Sequence, residues 1–152
     1  MKILVVYYSR TGTTKKVGKE IAKQLKVDSE EILDTKSRLG PIGWLRSGKE
    51  AQNKALTEIK PAKKDPSKYD LVVIGTPVWA WTVSSPVRTY LSKYKFKRVA
   101  FFCTCGGQSG KAFVEMEHVT GKKPIATLLI DEKEIKDASY LKKVKEFVAK
   151  LN

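Results

Sequence analysis

The chain is poor in the residues that build stapled or metal-dependent folds. It has two cysteines, Cys103 and Cys105, and a single histidine, His118. A disulfide framework needs more widely spaced pairs, and a bridge across one residue is strained. No second Cys or His pair completes a tetrahedral metal site. The expectation is free thiols at alternate positions of a strand end, and a structural or solvated histidine with no evident nucleophile beside it. Long apolar runs are also missing. No stretch is long enough to span a bilayer, and the apolar start Met1 to Tyr8 is too short for a signal-peptide core. These absences point to a soluble cytoplasmic protein. Acids are scarce as well: sixteen Asp and Glu face thirty Lys and Arg, a net charge of +14. That excess favours acidic partners, whether protein, nucleic acid or anionic membrane. A lysine-rich composition adapted to heat accounts for the same number. With no repeats or low-complexity tracts, the 152 residues read as one domain, 1–152, long enough to bury a core.

What is present begins at Lys2. Ile3 to Tyr8 is an unbroken run of β-formers, the pattern of a strand buried on both faces. Ser9-Arg10-Thr11-Gly12-Thr13-Thr14 follows at once, and a helical pattern then places Val17, Ile21, Ala22 and Leu25 on one face. A hydroxyl-rich loop between a buried strand and a helix start is where an α/β fold receives an anion, because the first N–H groups of the helix lack partners. The Walker ending Gly-Lys-Ser/Thr is absent, the dinucleotide fingerprint needs more glycines than Gly12, and no phosphatase thiol or receiver carboxylate stands at these strand ends. Two readings stay open on these letters: a phosphate-monoester loop working through hydroxyls and backbone N–H, with Arg10 adding charge, and a plain Ser/Thr-rich helix cap.

Asp28 to Leu33 suits a polar edge strand. The residues from Lys36 to Lys68 hold nine Lys or Arg and three acids, with breakers at Gly40, Pro41, Gly43, Gly48, Pro61 and Pro66. They read as a long basic connection, about 35–68, carrying one helix marked by Trp44, Leu45, Ala51, Ala55 and Leu56. Two readings of Trp44 stay open: a core anchor for this insertion, which is the favoured one, and a position near a bound ligand. Asp70 to Thr76 is a second clear strand. It runs into an uncharged aromatic loop, Pro77 to Ser84, before a helix opening at Ser85-Pro86. Trp79 and Trp81 in an exposed loop need a cover: either both fold back onto the protein or, the favoured reading, a flat aromatic ligand covers them. Arg98 to Phe102 and Pro124 to Ile130 are further strands. A glycine-rich loop follows the first of these and a short helix, Val114 to Val119, lies between them. A final helix over Ala138 to Leu151 turns Leu141, Val144, Phe147, Val148 and Leu151 inward. Five alternations of strand and helix give a parallel sheet with helices on both faces.

Ser9 to Thr14 resembles the FMN-phosphate loop of the flavodoxins, Ser/Thr-x-Thr-Gly-x-Thr. Thr76-Pro77-Val78-Trp79 and Phe102-Cys103-Thr104-Cys105-Gly106-Gly107 resemble the two isoalloxazine loops of a short-chain bacterial and archaeal branch, as does the segment Gly40 to Gly48. The resemblance implies a three-layer fold with a five-stranded parallel sheet in the order 2-1-3-4-5, and FMN as cofactor. It places Ser9, Arg10, Thr11, Gly12, Thr13 and Thr14 at the phosphate. Thr76, Pro77, Val78, Trp79, Ala80 and Trp81 lie along the ring, with Trp79 or Trp81 stacked on it. Thr104, Cys105, Gly106 and Gly107 meet its pyrimidine edge. The flavin carries the redox chemistry, so no catalytic residue and no metal are assigned. Two functions follow: an electron carrier, or an FMN-dependent NAD(P)H oxidoreductase of the quinone-reductase type. The basic charge departs from the acidic character of ordinary flavodoxins and implies an acidic redox partner protein. A third class, a nucleic-acid binder, lacks any recognised reading motif.

Overall fold

The computed structural model describes residues 1–152. Five strands form the main sheet: β1 (Ile3–Tyr7), β2 (Ser29–Glu31), β3 (Leu71–Trp79), β5 (Val99–Cys105) and β6 (Thr127–Asp131). Their order is β2-β1-β3-β5-β6, and each neighbouring pair is parallel. This is the 2-1-3-4-5 arrangement expected of the five-stranded sheet. A short additional strand, β4 (Thr82–Val83), pairs antiparallel with the end of β3, Val78 opposite Val83 and Trp79 opposite Thr82.

Period-two alternation divides the central strands between two cores. Leu4, Val6, Val72, Ile74, Val99 and Phe101 face one side, with Val87, Tyr90 and Leu91 of α3 (Ser85–Lys93) and Met116 of α4 (Ala112–Thr120). Ile3, Val5, Tyr7, Leu71, Val73, Ala100 and Phe102 face the other. There they meet Val17 and Ile21 of α1 (Thr13–Leu25) and Val144 and Phe147 of α6 (Tyr140–Ala149). Strands buried on both faces explain the near-continuous apolar runs in the sequence. In α6 the inward set differs by one residue from expectation: Tyr140 is buried, and Leu141 lies 41% exposed.

The region from 35 to 68 is more ordered than its breakers imply. It carries α2 (Gly40–Gln52) and a 3-10 turn at Pro66–Lys68. Ala55 and Leu56, expected on the helix, lie beyond its end. The chain returns along the sheet edge through an antiparallel bridge between Asp34 and Ile59 and the bonds Thr35 N–H to Glu58 O and Lys60 N–H to Leu33 O. The apolar segment after Thr76 is likewise not a free loop. β3 continues through Trp79, turns over Ala80 and Trp81, and comes back as β4. Both turn residues have positive φ, 48° and 67°, the mirror-image turn that suits hairpin twist but that Asn and Gly usually supply. No turn signal in the sequence marks it. The N-cap of α3 is Ser84 rather than Ser85, and its hydroxyl makes no capping bond. A short helix, α5 (Glu132–Lys136), follows β6 behind a capping box of Asp131 and Glu134.

Candidate functional site

Parallel strands deliver their loops to one edge of the sheet, and the loops after β1, β3 and β5 meet there. α1 starts at Gly12, whose φ of 103° is left-handed, and the helix has no side-chain cap. Its first-turn N–H groups are therefore left for a ligand. Ser9 Oγ accepts from Gly12 N–H at 3.0 Å and so holds the loop closed. Thr14 is buried, and its hydroxyl meets that of Thr104 at 2.7 Å, which pins the loop to the end of β5.

A narrow cavity of about 140 Å³ sits over this junction, lined by Ser9, Arg10, Thr11, Thr13, Thr14, Pro77, Val78, Trp79, Thr104, Cys105, Gly106, Trp44 and Glu132. Through Trp44, Val78, Cys105 and Gly106 it continues into a wider cleft of about 480 Å³, where Ala80, Trp81, Gly107 and Gln108 complete the wall. The three predicted loops thus share one groove. Of the sixteen residues read from the sequence, Gly12 and Thr76 do not line it. Thr76 is fully buried. Its Oγ accepts from Ser84 N–H at 3.1 Å and lies 2.9 Å from the Ser84 hydroxyl, so it ties the hairpin together.

The tryptophans divide by environment. Trp79 folds back onto the protein, with its ring edge-on to Tyr8 at 5.5 Å between centroids and the Arg38 guanidinium 5.2 Å from its centre. Trp81 is 64% exposed. Trp44 is equally exposed, so it is not the core anchor expected of the insertion. It stands on the outer wall of the groove because the helix face that packs inward carries Gly43, Ser47 and Ala51. Gly43 packs so closely that a Cβ there would meet the Arg38 backbone.

The core of the insertion is polar instead. Arg38, buried, pairs with Asp34 and forks onto both oxygens of Glu50 at 2.9 and 3.1 Å. It also donates to the hydroxyls of Ser47 and Thr57, each at 3.2 Å. Burial works against the Arg38 charge, but the bonds to Glu50 and Asp34 outweigh it and raise its pKa; the same guanidinium lowers that of Glu50. Burial beside Asp34 lifts the Tyr8 phenol to about 12. Arg10 is drawn into this assembly: its Nε donates to Arg38 O at 2.8 Å and one terminal nitrogen to Gly40 O at 3.2 Å. Two donors of the residue expected at the phosphate thus fasten the loop to the insertion.

Both thiols are free and buried. Desolvation pushes each up from its ordinary value, so neither is a thiolate at neutral pH. Sequence reasoning missed Glu132 and Gln108 in the groove. Glu132 arrives on α5, whose only sequence signal is the capping box Asp131-x-x-Glu134. The groove suits a flat, singly phosphorylated ligand: hydroxyls and uncapped N–H groups at its narrow end, exposed indoles at its wide end, and glycine backbone between.

The family model for flavodoxin matches residues 2–151. The chain is 26% identical to a flavoprotein of Lactobacillus acidophilus solved in complex with FMN, over 91% of this chain and 98% of that one, with a TM-score of 0.71. A candidate flavoprotein of Bacteroides eggerthii is 27% identical over 95% of this chain and 98% of its own, with a TM-score of 0.74. The two-electron reduced flavodoxin of Megasphaera elsdenii shares the fold at 19% identity, covering 97% and 98% of the two chains with a TM-score of 0.60. Comparison with curated protein sequences returns no match.

Proposed function

Because this chain belongs to the flavodoxin family, we propose that it binds FMN in the groove described above and serves as an electron-transfer flavoprotein. The observation that carries this reading is the convergence of the hydroxyl loop and the exposed Trp44 and Trp81 on one continuous cleft. Ser9, Thr11, Thr13 and the start of α1 hold the phosphate, Val78 and Trp81 flank the ring, and Gly106 and Gly107 present backbone N–H groups to its polar edge. The bound flavin supplies reversible electron storage, and the protein sets its potential. The purified protein should be yellow, or should quench FMN fluorescence on titration. Colourless protein with no quenching overturns the reading.

A second reading, an FMN-dependent NAD(P)H oxidoreductase acting on a quinone-like acceptor, is favoured by one feature: the insertion builds a wall of the groove through Trp44 instead of lying apart from it. Two resolved one-electron midpoints on reductive titration support the carrier; rapid bleaching by NADPH alone supports the enzyme. In either case the redox partner is an acidic protein. The net charge of +14 supports this, and so does the burial of the insertion's Asp34 and Glu50 against Arg38, which leaves Arg46 and Lys49 of α2 facing solvent. No helix is long and apolar enough to cross a membrane, and two unlinked thiols suit the reducing cytoplasm.

A further inference from the structure

Helix α2 is amphipathic the wrong way round. Its inward face carries Gly43, Ser47 and Ala51, while large apolar side chains of its first half stand in solvent. Leu39, at the N-cap, is 70% exposed, Ile42 75% and Leu45 63%. A surface helix ordinarily buries such residues. None of the three lines the cofactor groove, which α2 reaches only through Trp44. Their spacing of three sets them along one side of the helix. Arg46 lies one turn beyond Ile42 and Lys49 one turn beyond Leu45, both exposed, so the same side becomes cationic in the second half.

The segment is also free of acids. From Lys36 to Lys49 there is no Asp or Glu. Glu50, the first to follow, is held by the buried Arg38, and so is Asp34 before it. The exposed face is therefore apolar at one end, positive at the other and nowhere negative.

Its composition separates the occupants that could cover it. A second copy brings the same cations to the contact and no acid to meet them. Protein interfaces are depleted in Lys, and Leu is under-represented at their hot spots, so Leu39, Leu45 and Lys49 fit a protein partner poorly. Leu and Ile beside Lys and Arg are the profile of a helix lying in the headgroup region of a bilayer. The net charge of +14 acts in the same direction, because anionic lipids attract cations held close to them.

We propose that α2 docks this protein on an anionic lipid surface, with Leu39, Ile42 and Leu45 at the headgroup–acyl boundary and Arg46 and Lys49 on lipid phosphates. The contact is peripheral, since 13 residues are too few to span a bilayer. Trp44, on the same helix, brings the groove beside the membrane. The proposal goes beyond the flavin reading and does not depend on it.

The test is co-sedimentation of the FMN-saturated protein with vesicles of equal parts phosphatidylglycerol and phosphatidylcholine, and with vesicles of phosphatidylcholine alone. Binding should be at least about tenfold weaker on the second. Ile42→Ser and Leu45→Ser should each weaken binding to the anionic vesicles about tenfold, and Arg46→Gln and Lys49→Gln about fivefold each. Tm and FMN affinity should not change, because these side chains are exposed and do not line the groove. Leu141→Ser and the pair Lys142→Gln, Lys145→Gln, on the exposed side of α6, should lower binding by roughly twofold at most. Absence of binding to the anionic vesicles overturns the proposal. So does an equal loss in the α2 and α6 variants, which makes the attraction diffuse, or a dimer without vesicle binding that Ile42→Ser dissociates, which gives the face to a second copy. Failure to take up FMN defeats the flavin reading alone, because the same vesicle assay on the apoprotein still decides the role of α2.

Discussion

The groove has two walls built by different means. The wall from β1, β3 and β5 rests on regular backbone: parallel ladders place the loops, Thr14 and Thr104 fasten them, and glycines shape them. The opposite wall, the insertion from Asp34 through α2, rests on a buried arginine with two carboxylates and two hydroxyls. The first is spread over many backbone bonds between strands, so no single side chain carries it. The second is concentrated on one guanidinium shared by Asp34, Ser47, Glu50 and Thr57. One wall should therefore tolerate single changes, and the other should fail as a unit.

The largest expected effect tests that contrast directly. Arg38→Ala strands Asp34 and Glu50 without their partner and should cost about 3–5 kcal/mol, read by urea unfolding. Adding Asp34→Asn and Glu50→Gln to that variant should restore part of the loss; an equal loss in single and triple variants would deny that the charges act together. On the other wall, Thr14→Val leaves the Thr104 hydroxyl unpaired and should cost about 1–3 kcal/mol, with weaker FMN binding by fluorescence titration. Ala80→Gly relieves one left-handed residue of the hairpin turn and should raise stability by about 1 kcal/mol, seen as a higher Tm. Acid sharpens the comparison further. The pKa of Glu50 is lowered by Arg38 from its ordinary 4.5, so its stabilising contribution is complete above that value and is lost as pH falls through the folded-state pKa. Glu50→Gln should flatten the acid limb of the unfolding curve relative to the parent, whereas Thr14→Val should leave its slope unchanged. The smallest effect concerns charge at a distance: the positive field favours an anionic reduced cofactor, so the midpoint potential should fall as salt rises. A potential flat with salt would remove that contribution.

The legibility of the molecule follows the same division. Ile3 to Tyr8, Asp70 to Thr76 and the Ser9 to Thr14 loop declare themselves because strand burial and helix starts are encoded within a few residues. The hairpin at Ala80 and Trp81 was hidden, since neither residue favours positive φ; Gly110 and Lys111 hold the turn in place from elsewhere in the chain. Of the two readings of Trp44, the favoured core anchor fails and the position beside the groove holds; an aromatic residue in a basic segment reads as an anchor, while the actual anchor is the charged Arg38. Nothing local distinguishes Arg38 from the eight other cations between Lys36 and Lys68. Thr76 looked like a ligand contact by position, but its hydroxyl is used by Ser84.

The bond between Thr14 and Thr104 spans ninety residues of chain. A ribosome making this protein must therefore release most of the polypeptide before the coenzyme has anywhere to sit. Such distant closure is slow compared with local pairing. Uptake of colour during synthesis or refolding should consequently be a late event, and the yellow product a direct indicator that the whole sheet has assembled.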